Sequence, residues 1–423
     1  MSKITILCGE SPMPVCQALK TLQATEAVII HGNGDSIDTA KRVKNFCLDF
    51  LGLEETSVHL IEVEPWDPTL ENLFPYRELL DNSILVFGPG TSVMNAMIHD
   101  WWRAREGNGF DVGQSWYLQA MPSQLIASDP ALQLKRNLPS IVPVIPTGLN
   151  MNALVNLHLS QEWILRQPTP LVGTARQWFV NNQLLDIPLN APNDIAQLLS
   201  SFVSHVLFEG QDMRTNADEQ LILRENTPAH RLLQSLGIAP QPGFLLEVAV
   251  YALLGVTLQH SELARSIEVV RPANAEAGVE EGILEMDVAI RHLDRLLWIS
   301  CGSSRKQGEN LISTFRTKFH EADSNARNLS GKEARSITVV NRFAQHRAGF
   351  TFEDRLEFGK DLRTRLGLEP EPSAKVRHII VDVAELFGRN PEGALNGSME
   401  NPGQPWLKKW IEESLGLNSA SAD

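Results

Sequence analysis

Cysteine is scarce in this chain, 4 in 423 residues, and Cys8, Cys16, Cys47 and Cys301 form no C-x-x-C pair and have no histidine at zinc spacing. A thiolate metal site or a disulfide framework is therefore not expected, and the four read as buried thiols. Long apolar runs are also missing. Nothing approaches the roughly 20 residues needed to span a bilayer, and the opening MSKITILCGE has no apolar stretch followed by a small-residue cleavage site, so the chain reads as cytoplasmic with no membrane contact. Positive charge is in deficit, with 37 Lys and Arg against 51 Asp and Glu and a formal net charge of -14. The balance argues against a general nucleic-acid coat, because neutralising phosphates takes clustered cations. Neither G-x-G-x-x-G nor G-x-x-x-x-G-K-[ST] occurs, so dinucleotide and Walker-type phosphate binding are not signalled. A G-x-S-x-G elbow and internal repeats are absent too.

What is present is a globular composition, 43% hydrophobic, at a length that suits two domains and a connecting region. Apolar runs at 4–7, 27–30, 58–63 and 84–87 read as strands, separated by segments of helical character. Strands alternating with helices imply a parallel sheet covered on both faces, so residues 1–145 read as a Rossmann-like α/β domain. Ligands of such sheets bind beyond the carboxyl ends of the strands. Those ends carry Gly9-Glu10-Ser11, Gly32-Asn33-Gly34 and Gly88-Pro89-Gly90-Thr91-Ser92. The last enters a helix over 93–102, whose free N–H groups and positive end suit an anion, and its glycines let a phosphate approach the backbone. Taken alone, 88–92 reads equally well as an ordinary strand-to-helix turn. Asp35 or Ser36 is the expected cap of the helix after the second strand. His99 reads as a packing or surface residue, and Trp101 and Trp102 as core or interface rather than a platform for a base.

Pro139, Pro143 and Pro146 mark the exit from this domain. Residues 146–235 read as a connecting module, with a hairpin turning at Asn181-Asn182 and an amphipathic helix over 194–208. Chemistry concentrates further on, in 283–306. Leu284, Met286, Val288 and Ile290 alternate with Glu285 and Asp287, so both carboxylates leave one face of a strand. A polar break at His292, Asp294 and Arg295 leads to a second strand over 296–301, which places Ser300 and Gly302 on one face. Upstream, 243–254 reads as a buried helix with one interior carboxylate, Glu247, costly unless paired or metal-bound. In an arbitrary protein Glu285 and Asp287 are simply solvated. Ser300 and Cys301 invite a nucleophile reading with His292 or His320 as base, but no third member is recognisable and a buried strand cysteine is the plainer reading. Basic residues run closely from Arg305 to Arg389, which leaves room for a locally positive groove. Residues 236–390 read as the second domain, and 391–423 as a tail with a short amphipathic helix over 406–411.

The pattern G-x-G-T-[KS]-x-M, met by Gly88, Gly90, Thr91, Ser92 and Met94 between a strand and a helix ending in aromatics, resembles the ligand loop of CARF domains. These are the sensors of cyclic oligoadenylates in type III CRISPR systems. The second half resembles the restriction-endonuclease-like nucleases of PD-(D/E)xK type, where a helical Glu, a strand Asp and the Glu of an E-x-K hold a divalent metal and the Lys orients water. Here Ser300 stands where that Glu is expected and Gly302 where that Lys is expected. The joint order resembles the CRISPR ancillary CARF nucleases. That resemblance implies an α/β fold, a Rossmann-like parallel-sheet CARF domain followed by a restriction-endonuclease-like α/β domain. It also implies a homodimer with a ring nucleotide in the cleft between two CARF domains and a nuclease activated on binding. Carried onto this chain, it implies Ser11, Asn33, Gly88, Gly90, Thr91, Ser92 and Met94 for the ring, expected to be cyclic tetra-adenylate. Glu247, Glu285 and Asp287 are implied as ligands of Mg²⁺ or Mn²⁺, with Glu247 and Asp287 catalytic and Lys306 reaching back toward a DNA or RNA phosphodiester. The alternative is a non-catalytic second domain that relays ring binding to a partner. Cleavage of the ring by the first domain is a third reading that no residue specifically supports.

Overall fold

The computed structural model describes residues 2–64, 71–104, 115–119, 124–135, 137–159, 163–166, 168–171, 213–215, 221–258, 261–270, 283–331, 333–343, 350–387 and 405–417. The Asn181-Asn182 hairpin and the 194–208 helix lie outside them. The chain forms two compact units, Met1–Leu149 with Ala153–Glu162, and Asn150–Asn152 with Trp163–Asp423.

The first unit is built on a seven-stranded sheet of β1 (Ser2–Cys8), β2 (Ala24–His31), β3 (Val58–Glu62), β4 (Ile84–Phe87), β5 (Ser115–Gln119), β6 (Gln124–Ala127) and β7 (Ile141–Pro143). Its order is β3-β2-β1-β4-β5-β6-β7, with the first five parallel and the last two antiparallel. The central strands are nearly continuous apolar runs, as sheets covered on both faces require. Leu7, Val28, Ile30, Ile61 and Leu85 pack with Met94, Ile98 and Trp102 of the helix Ser92–Ala104 in one core. Trp102 is thus core. The helix Asp35–Asp49 begins after Gly34, so the cap position falls one residue before Asp35, and the Ser36 hydroxyl donates to the Gly32 carbonyl. From β1 the chain steps to β2 and β3 on one side and crosses to β4 on the other. The switch point therefore falls between β1 and β4.

The second unit holds β8 (Ile164–Leu165), β9 (Thr169–Pro170), the two-stranded pair β10 (Met213–Thr215) and β11 (Leu221–Leu223), then β12 (Glu262–Val270), β13 (Ile283–His292), β14 (Arg295–Ser304), β15 (Arg335–Arg342) and β16 (His378–Asp382). Its main sheet runs β16-β15-β14-β13-β12-β8, with β9 also on β12. The three strands from β14 to β16 are parallel, and β12, β13 and β14 are antiparallel. Residues read as part of a connecting module therefore supply an edge of this sheet. The helix Pro242–Thr257, apolar all round, buries Leu245, Leu246, Ala249, Leu253 and Leu254 in a core with Val288, Ile290, Leu297, Ile299, Val339 and Val381. The alternate residues Val340 and Ile380 pack with Leu311, Ile312, Phe315 and Phe319 of the helix Gly308–Ser330. That is the period of two of a sheet covered on both faces. The late helix Pro405–Leu415 buries Leu407, Trp410 and Ile411 in the first of these cores. Among the described residues no helix is long and apolar enough to cross a membrane.

Candidate functional site

At the switch point of the first sheet the loops after β1 and β4 touch. A side chain on Gly9 would bring its Cβ to 2.7 Å from the Gly90 backbone nitrogen, so only glycine permits this approach. Gly90 itself has φ +118, a backbone that other residues rarely adopt. One side chain holds the loop in shape. Asn95 accepts from the Gly88 N–H at 2.6 Å and donates to the carbonyls of Gly88, Gly90 and Thr91 at 3.2, 3.2 and 3.0 Å. The Thr91 hydroxyl accepts from the Met94 N–H at 3.2 Å, a helix-capping bond. Thr91 and Ser92 are exposed beside the helix N-terminus.

The implied ring contacts divide by burial. Ser11 and Asn33 are exposed, and Ser11 makes no capping bond to the helix Pro12–Thr21. Met94 is 3% exposed, with its methyl against Gly90, and so supports the loop from beneath. His99 packs on Phe87 with ring centroids 4.7 Å apart. Asn95 carries no chemistry of its own in the sequence. Its one signal is its place four residues after Thr91, one helical turn, which faces it back over the loop.

In the second unit the acids meet around the middle strand. Glu247 is 3% exposed on its helix and takes two bonds on one oxygen, from Arg265 at 3.1 Å and from the Ser266 hydroxyl at 3.2 Å. Arg265 and Ile267 pair with Val288 and Met286, which sets Ser266 opposite Asp287. Ser266 has φ 54, a left-handed conformation inside a strand that costs about 1–2 kcal/mol. Asp287 accepts from the Ser300 hydroxyl at 3.3 Å and from the Cys301 N–H. Burial, with Asp287 nearby, pushes the Glu247 carboxyl up to about 7. Burial also raises Asp287, against the pull of the Lys318 ammonium and the bonds from Cys301 and Ser300. Glu285 is raised likewise, with Lys318 again opposing.

The E-x-K substitutions have structural consequences. Ser300 is buried and its hydroxyl engages Asp287, while His292 faces the Ser261 hydroxyl at 3.3 Å and His320 is exposed. Burial and the neighbouring carboxylates raise the Cys301 thiol well above its ordinary range. A Ser-His or Cys-His nucleophile is thus not assembled here. At Gly302 an added Cβ would meet the Lys318 stem at 3.4 Å. Cys301, Gly302, Ser303, Lys306 and Lys318 line one cleft of about 590 Å³. The Lys306 ammonium donates to the Thr314 hydroxyl at 3.1 Å.

A divalent metal fits these residues poorly. Among the described residues no three of His, Cys, Asp or Glu converge as ligands, and Glu247 already faces a guanidinium. Arg265, Ser266 and Lys318 were not singled out in the sequence. Arg265 and Ser266 sit in a strand that matches no motif, and Lys318 is one basic residue in a run of many.

No protein-family model matches this chain, and no curated protein matches it. Protein VC1899 from Vibrio cholerae aligns over 90% of this chain and 94% of its own at 13% identity, with a TM-score of 0.51. Can2 from Sulfobacillus thermosulfidooxidans, solved in complex with cyclic tetra-adenylate, aligns over 80% of this chain and 89% of its own at 14% identity, TM-score 0.47. A type III CRISPR defence DNA nuclease activated by cyclic oligoadenylate aligns over 86% of this chain and 52% of its own at 15% identity, TM-score 0.46. At such identities the likeness is one of fold. It extends along nearly the whole chain, and the two-unit α/β architecture implied by the resemblance is the one found.

Proposed function

We propose that this chain is a sensor of a cyclic oligoadenylate, with cyclic tetra-adenylate as the ring, of the CRISPR ancillary CARF type. The ring sits in the cleft of a homodimer and its binding is passed to a second domain that acts as a relay or partner-binding module. The observation that carries the sensing half is the switch-point loop. Its glycines bring backbone against backbone, Asn95 fixes the turn, Thr91 and Ser92 are exposed at a helix N-terminus suited to phosphate, and the exposed Ser11 and Asn33 follow the carboxyl ends of β1 and β2. Gly88 and Gly90 shape that loop and Met94 props it.

The relay half rests on the acid site. The carboxylates of Glu247 and Asp287 are engaged by the chain's own donors, and the positions of the motif Glu and Lys hold Ser300 and Gly302. The second reading is a metal-dependent nuclease acting on DNA or RNA through Glu247, Glu285, Asp287 and Lys306. The closeness of Glu247 to Asp287 favours it. Supercoiled plasmid and labelled single-stranded DNA and RNA, incubated with Mn²⁺ with and without cyclic tetra-adenylate, separate the two. The expected result is ring binding without cutting. Ring-dependent cutting that disappears in Asp287→Ala would establish the nuclease instead.

A further inference from the structure

The second unit holds a buried Glu247 and a half-buried Asp287, with the exposed Glu285 two residues before Asp287 on the same strand face, and cations that offset them can be named. Glu247, Asp287 and Glu285 all have carboxyls raised chiefly by burial. Two cations stand among them. Arg265, its side chain 13% exposed, reaches Glu247 at 3.1 Å and also donates to the Ser266 hydroxyl that holds the same carboxylate oxygen. Lys318 comes from the other side of the strands, on the helix Gly308–Ser330. Its stem crosses β14 at Gly302, where even a Cβ would be in contact at 3.4 Å, one residue beyond the N–H that holds Asp287. Among the described residues the Lys318 ammonium has no ion-pair partner within 4 Å. It is half-buried in the cleft with Cys301, Ser303, Lys306 and Glu321, the last a further acid that acts with Asp287 and Glu285.

Gly302 and Lys318 therefore read as one arrangement. The strand position where the nuclease motif would put its lysine is empty of side chain, and a helix lysine passes over the same backbone. We propose that Arg265 and Lys318 stand in the place of a divalent metal, so that the charge of this acid cluster is offset in part by the chain's own cations and the fold is kept without one. The inference deepens the relay reading of the second unit and rests on it, and it is independent of ring binding. The physical reason is that a buried carboxylate needs opposite charge close by: the Arg265 guanidinium contacts Glu247 directly, and the Lys318 ammonium acts on Asp287 and Glu285 through space, at every metal concentration. Lys318 acts here on the carboxylates and is a positioning residue.

The test uses the full chain, no nucleotide, and manganese as the probe. Thermal melts are recorded with and without millimolar Mn²⁺ for the native chain, Lys318→Met and Lys318→Arg, and binding is read directly from the loss of the free Mn²⁺ resonance signal on adding protein. The native chain and Lys318→Arg are expected to leave the free Mn²⁺ signal and the melting temperature unchanged. Lys318→Met, with one cation removed from the cluster, is expected to gain a Mn²⁺-dependent rise of more than about 2 °C, a shift that corresponds to a modest binding energy in a domain of this size. Stoichiometric depletion of free Mn²⁺ by the native chain would overturn the proposal, and so would a Lys318→Met chain that melts cooperatively and ignores the metal. If the methionine variant fails to fold, the same two readings are taken on Lys318→Gln, and a folded glutamine variant that ignores the metal overturns the proposal. Because no arm contains a ring nucleotide, an adverse result here leaves the sensing reading standing.

Discussion

Asn95, Glu247 and the cysteines each have a consequence readable from one side chain. Asn95 makes four bonds to the Gly88–Thr91 loop, so Asn95→Ala is expected to weaken ring binding and to cost about 1–3 kcal/mol of stability, read from ring titration and denaturant midpoints. Asn95 never contacts the ring in this account. Glu247 titrates near about 7 against an ordinary 4.5 because it is buried beside Asp287. A carboxyl raised in the folded state keeps its proton there after the unfolded chain has lost it. Stability from this group is thus complete below about 4.5 and declines as pH rises through about 7, by on the order of 3 kcal/mol. Urea midpoints measured on either side of that window should show the decline in the native chain and a flatter profile in Glu247→Gln. A native profile as flat as the variant's would mean that Glu247 is not protonated on folding. Burial pushes the thiols of Cys8 and Cys47 up to about 12, and raises Cys301 too. Iodoacetamide should leave all three unmodified in the native chain and label them after denaturation, as mass spectrometry would show.

Single elements carry the next level of dependence. The helix Phe352–Arg365 presents Arg363 to Glu385 at 2.9 and 2.6 Å, both side chains fully buried, and Gly359 leaves the room for it. A Cβ at Gly359 would lie 2.1 Å from a Glu385 carboxylate oxygen. Gly359→Ala must displace that carboxylate, and breaking a buried pair of this kind costs about 3–5 kcal/mol. A variant with an unchanged melting temperature would show that the carboxylate has somewhere else to go.

Elements were also the level at which the sequence was most informative. Alternation of Leu284, Met286, Val288 and Ile290 marks β13, and the apolar runs before Gly9, Gly32 and Gly88 mark β1, β2 and β4, because strand burial imposes its period directly on neighbouring residues. The glycine loop was legible for the same local reason. The partners of the acids were not. Arg265 and Ser266 reach Glu247 from a strand that follows its helix, and Lys318 reaches Gly302 from a separate helix, so only the packing of sheet and helices brings them together. The cap after β2 differs from the expectation because Gly34, with φ 71, takes the position one residue before Asp35 and two before Ser36.

For the molecule as a whole, two units of different character share one chain. The first has a glycine loop at the switch point shaped by backbone, with little side-chain chemistry around it. The second has a buried glutamate paired with an arginine and further acids with a lysine near them. That division suits a protein in which recognition sits in one domain and the response in another, and it makes sensing the claim from which the rest of the function follows. Equilibrium titration of cyclic tetra-adenylate into the full chain, beside a Gly90→Val control, tests that claim most directly. The control carries a β-branched residue where φ is +118 and where a Cβ would already lie 2.9 Å from the Met94 methyl. The expected result is saturable binding by the native chain, one ring to two chains, and loss of binding in a control that still folds. No binding of any cyclic oligoadenylate to a folded native chain, or equal binding by the control, would contradict the account.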